Sequence, residues 1–113
     1  MRSKYEVFDR SRLRVQPLAD RVHDLRLEHW LGLDEAAPSF SHPGLAEVAS
    51  RLLEARRRGS ARILMMGAHL LRAGVSRHLI DLMERGLIDL VAMNGAGAIH
   101  DYELARIGAT TES

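Results

Sequence analysis

The spacing of apolar residues changes near Ser41. Before it no period is sustained: Leu13-Arg14-Val15-Gln16-Pro17-Leu18 alternates apolar and polar, which permits a short strand ending near the proline, and Leu18 to Leu27 allows a turn or two of helix. Trp30, Leu31 and Leu33 are placed to plug this arm onto a core formed elsewhere. The stretch 34–43, rich in Ala, Pro and Ser, reads as a loop. Residues 1–41 are thus expected to form an irregular arm and residues 42–113 an α/β segment.

After Ser41 the pattern sharpens. Ser41 or His42 can cap a helix, Pro43 suits its first turn, and Leu45, Val48, Leu52 and Leu53 recur at helical spacing. Arg56-Arg57-Arg58-Gly59 ends it: cations complement the negative end of the helix dipole, and glycine provides the stop. Arg62 to Ala68 is a short continuous apolar run, the signature of a parallel strand covered on both faces. Ala73 to Arg85 places Val75, Leu79, Ile80 and Met83 on one helical face, with Gly86 as terminator. A second apolar run, Leu87 to Met93, closes on Asn94-Gly95. Gly97 to Arg106 then reads as a helix stopped by Gly108. The rhythm is a partial Rossmann-like βαβα unit with parallel strands and a right-handed crossover.

Two parallel strands with helices on one face leave the other face uncovered. In addition, Thr110-Thr111-Glu112-Ser113 resembles the start of another helix. The pattern therefore predicts a piece of a larger fold, incomplete at its C-terminus, in preference to a chain completed by homo-oligomerisation.

Composition narrows the chemistry. With 113 residues, 46% hydrophobic and only 4% aromatic, the chain has room for one domain with an aliphatic core. The net charge of +1 gives no argument for nucleic acid or an anionic membrane. There is no cysteine, which removes thiol nucleophiles, disulfides and cysteine metal sites. No apolar run reaches membrane-spanning length and the first residues are charged rather than signal-like, so a cytoplasmic location is expected.

In open parallel sheets ligands bind outside the carboxyl ends of the strands. That edge carries Gly67, Ala68 and His69 after the first strand and Asn94, Gly95, Ala96 and Gly97 after the second. Gly95 and Gly97 allow close approach of the backbone, and the helix that follows offers free N–H groups and a positive dipole end to a phosphate. The run is only part of a dinucleotide fingerprint, because His100 stands at the third glycine position. A tight turn without a ligand explains the glycines equally well. His100 and Asp101 are the candidate catalytic pair, His100 as donor or general acid/base and Asp101 as fixer of the turn. His100 and Glu103 supply two metal ligands at most, so no metal site is expected. His78 reads as a helix-surface residue, His23, His29 and His42 form no constellation, and Met65, Met66 and Met93 read as core or pocket wall.

Ile63 to Gly74, Leu79 to Asp89 and Asn94 to Asp101 together resemble the deoxyhypusine synthase family over residues 61–108. The resemblance implies a Rossmann-like fold, bound NAD, a homo-oligomer, and transfer chemistry on an amine or related small metabolite. The nucleotide contacts it implies fall on Gly67, Ala68, His69, Asn94, Gly95 and Ala96. The chain departs from the family's pattern where Gly67-Ala68-His69 replaces Thr-Ser-Asn, where Met93-Asn94 replaces Thr-Thr, and where Ile99-His100 replaces an acidic pair. The alternative is a non-catalytic α/β interaction module completed by oligomerisation.

Overall fold

His42 starts the regular part of the chain. Its Nδ1 accepts the backbone N–H of Gly44 at 3.0 Å, and with Pro43 in the first turn it launches helix α1, Pro43–Arg57. The helix ends as its sequence dictates: the Arg57 and Arg58 side chains turn back onto Glu54, and Gly59 takes a left-handed φ of 67°. The computed structural model describes residues 4–36 and 39–112 of the chain.

An α/β unit follows, in the order β1 (Ile63–Met66), α2 (His69–Arg72), α3 (Ser76–Glu84), β2 (Leu90–Met93) and α4 (Gly95–Ile107). The two strands pair in parallel, from Ile63 opposite Leu90 to Met66 opposite Met93. Both are shorter than their apolar runs. Leu87 does not join the sheet because its N–H still closes the end of α3 on the Leu82 carbonyl, 2.8 Å away. Asp89 marks the true entrance: its carboxylate accepts the Arg62 backbone N–H at 2.8 Å and pairs with the Arg62 guanidinium at 2.5 Å. Those two bonds, the backbone one foremost, hold the Asp89 carboxyl below the usual carboxylate range.

The helix expected over 73–85 forms as α3, and an unexpected turn of helix stands before it. The single turn α2 precedes α3, and Gly74 separates them with a φ of 76°. A β-carbon on Gly74 would lie 2.4 Å from the carbonyl oxygen of His29, so both the turn and the close approach require glycine there. α4 also begins two residues earlier than the pattern suggested, because Asn94 itself caps it.

The arm departs furthest from expectation. Leu13 to Leu18 forms no strand; short 3₁₀ turns occur at Arg10–Arg12, Leu18–Asp20 and Leu27–His29. A strand needs a neighbour to satisfy its N–H and C=O groups, and 13–18 has none among the described residues. Residues 23–31, in contrast, are docked. Asp24, Leu27 and Leu31 donate their N–H groups to Glu112, Gly108 and Gly74, while Leu25 accepts from Thr110. Trp30 is half-buried as a plug should be, but Leu31 and Leu33 stay exposed, and Leu31 is held by its backbone rather than by its side chain. Thr110 does not start a helix: it is fully buried beside the antiparallel bridge of Arg26 with Ala109.

Leu71 of α2, Leu104 of α4, Ala68 and Ala109 are the most buried apolar residues among those described. The helices cover one sheet face only. Met66, Val91 and Met93 share a cavity with Leu79, Ile80 and Met83 of α3. On the other face Ile63, Met65 and Leu90 are 58%, 81% and 51% exposed. Met65 is therefore neither core nor pocket wall, because nothing among the described residues covers its side of the strand.

Candidate functional site

Parallel pairing brings the two turns to one edge. Gly67 lies beside Asn94, with its missing β-carbon 3.5 Å from the Asn94 Nδ2. Asn94 is extended (φ −78°, ψ 170°), and its Oδ1 accepts the Gly97 N–H at 3.0 Å. That bond and the bond from the Ala98 N–H to the Asn94 carbonyl satisfy the inner donors of α4. The outer two, the N–H groups of Gly95 and Ala96, find no protein acceptor among the described residues. They sit at the positive end of a 13-residue helix.

The glycines at this edge differ in what they do. None of Gly67, Gly95 and Gly97 has a positive φ, so the turn does not rest on left-handed backbone. A β-carbon on Gly95 would meet nothing within 4 Å; the space above it is open. A β-carbon on Gly97 would lie 3.2 Å from Sδ and 3.3 Å from Cβ of Met93. Gly97 therefore lets α4 settle on β2, and the close approach it permits is to protein. Ala68 turns into the core and can offer an edge ligand only its backbone, whereas His69 is exposed at the first turn of α2.

His100 lies away from that edge, on the inner side of α4. Its Nδ1 is 3.2 Å from Glu103 Oε2, and its Nε2 is 3.6 Å from Glu112 Oε2. Glu103 also accepts both the backbone N–H (3.2 Å) and the hydroxyl of Thr111, while Arg72 donates to Glu112 at 2.7 Å. Burial pushes the Glu103 carboxyl up, but the hydrogen bonds from Thr111 and His100 outweigh it and hold the group below its usual range. The arrangement is a clamp fastening residues 110–112 to α2 and α4. Sequence reading found His100 and noted Glu103; Arg72, Thr111 and Glu112 lacked a local signal, since Arg72 and Glu112 stand 40 residues apart.

Asp101 faces a different surface. It lines the cavity of about 230 Å³ under α3, together with Trp30, Met66, Ser76 and Met93. Trp30 Nε1 and Ser76 Oγ are buried there without a hydrogen-bond partner. The space is smaller than the ~300–1,000 Å³ of typical ligand pockets, so it could take part of a nucleotide but not the whole. His100 and Asp101, adjacent in sequence, therefore serve separate surroundings.

The remaining histidines act locally. His23 donates to the Thr110 carbonyl at 2.6 Å, His29 accepts from the Arg26 N–H at 3.0 Å, and His42 caps α1. His78 is half-buried rather than a surface residue. Among the described residues no three His, Cys, Asp or Glu side chains are grouped to hold a metal ion, and no helix is long and apolar enough to cross a membrane. Comparison with protein-family models, curated proteins and solved structures finds no match.

Proposed function

We propose that the carboxyl edge of the sheet binds a phosphate-bearing nucleotide of the NAD type. One observation carries this reading: two unpaired N–H groups, of Gly95 and Ala96, open onto free space at the start of a long helix. Gly67 and Asn94 form the floor of that space, and His69 stands at its rim. The resemblance to deoxyhypusine synthases supports the same cofactor. It alone supports the wider proposal of an NAD-dependent transferase acting on an amine. In that scheme Asp101, beside the apolar cavity, is the acid available to a substrate, and His100 acts through the clamp it belongs to.

Thermal unfolding of the full chain with and without NAD tests the binding. A ligand at a hundred times its Kd stabilises by about 2.7 kcal/mol, which shifts the midpoint by several degrees in a chain of this size. An unchanged midpoint at millimolar NAD contradicts the proposal.

A second reading, a non-catalytic module, is favoured by Gly97, whose contact with Met93 is purely structural. The two readings part at Gly95. Gly95→Ala fills the open space, so nucleotide binding requires that the variant lose its NAD response, while the module reading requires that it behave as the unaltered chain.

A further inference from the structure

The open face of the sheet has a candidate cover within the same sequence. We infer that residues 4–22 of one chain seat on the exposed sheet of a second copy, in a reciprocal exchange of arms. Parallel strands are ordinarily covered on both faces, and two strands are fewer than an independently stable sheet needs. Here Met65 and Leu90 face outward and exposed, and Ile63, beside Val48 and Leu52 of α1, stays more than half open. The arm presents the matching surface: Val7, Phe8, Leu13, Val15 (84% exposed), Leu18 and Val22 all lie open. Local hydrogen bonds shape it, such as Leu13 to Arg10 and Arg21 to Leu18. The body holds the chain at His23, through the bond to the Thr110 carbonyl.

Charge favours the same pairing. Residues 1–22 carry six basic and three acidic side chains, whereas residues 23–113 carry ten basic and twelve acidic ones. The arm is thus net positive and the body net negative, so arm and body attract while two whole chains, near neutrality, repel little.

Area points to a second copy as the occupant. A compact chain of 12.6 kDa exposes about 6,200 Å², whereas this one exposes 9563 Å². The excess of roughly 3,400 Å² exceeds the ~1,000–2,500 Å² that each partner of an obligate dimer covers. The Cα radius of gyration, 19.1 Å against about 13 Å for a compact chain of this length, likewise shows an extended chain. Reciprocal exchange covers both sheets at once and closes the assembly with two-fold symmetry.

The absence of cysteine permits a direct test. Full-length chains carrying Val15→Cys and chains carrying Met65→Cys are mixed, equilibrated and oxidised mildly. The expected product is an interchain disulfide between the two kinds of chain, in excess over the product of either alone, and the unaltered protein is expected at twice the chain mass by light scattering. Met65→Glu and Val15→Glu, both at exposed positions, should each weaken the dimer at least ~10-fold while leaving the helical circular-dichroism signal in place. A monomer at all concentrations overturns the inference. So does a chain carrying both cysteines that closes only on itself, which would place the arm on its own sheet. Neither result bears on the nucleotide edge, which is read separately through NAD.

Discussion

The two ends of α4 use the same kind of residue for opposite purposes. At its start, Asn94 to Gly97 leave two backbone donors unpaired and the space over Gly95 open. Further along, His100 and Glu103 turn inward, and the Glu103 carboxylate serves His100 and Thr111 at once. His100, which looks catalytic in sequence, is here spent on holding the chain together, whereas the less conspicuous glycine turn keeps two donors free. Binding capacity follows what is left unpaired more than the reactivity of a side chain.

Substitutions can sharpen that contrast, and the clamped side should respond most in stability. Gly74→Ala forces an alanine into left-handed backbone and against the His29 carbonyl, and should destabilise by about 3 kcal/mol in urea unfolding. Glu103→Gln weakens the bonds to Thr111 and His100 and should cost about 2 kcal/mol. Its pH dependence follows from a carboxyl held low in the folded state. The stabilisation is complete above the usual glutamate range and is lost as pH falls below it, through the depressed folded value. Thermal midpoints across the acid range should therefore fall less steeply for Glu103→Gln than for the unaltered chain. Part of the acid loss should remain, because Asp89 is held low as well.

The open end should respond less in stability and more in binding. Gly97→Ala presses on Met93 and should destabilise by about 1–2 kcal/mol, leaving the NAD-induced shift of its own midpoint intact. Gly95→Ala should change stability least, by ~0.5 kcal/mol or under, and should abolish that shift. If instead Gly97→Ala removes the NAD response and Gly95→Ala leaves it, the contrast between the two glycines fails.

How much of this was legible in the sequence follows the reach of the interactions. His42, Gly59, Gly86 and Gly108 mark helix ends through bonds within a few residues, and the structure uses all four as the sequence implies. The two apolar runs contain the strands, but the cover on both faces that their continuous apolarity implies is present on one face only. Strand lengths were overread because Asp89 and Leu87 are claimed by Arg62 and by the end of α3. The split at Gly74 depends on His29, and the clamp joins Leu25 to Thr110 and Arg72 to Glu112. Those contacts leave no local period. Of the candidate site, the edge residues were legible as a group because parallel pairing fixes where strand ends meet. The separation of His100 from Asp101 was not, because it turns on which sides of α4 are packed and against what.

The central claim concerns two amides, and backbone NMR of the labelled chain can observe each of them. On titration with NAD, the Gly95 and Ala96 signals should shift most, followed by Gly67 and His69, with those of Thr110 and Thr111 in the clamp nearly still. Unmoved Gly95 and Ala96 signals at millimolar NAD, or shifts confined to the clamp, would contradict it.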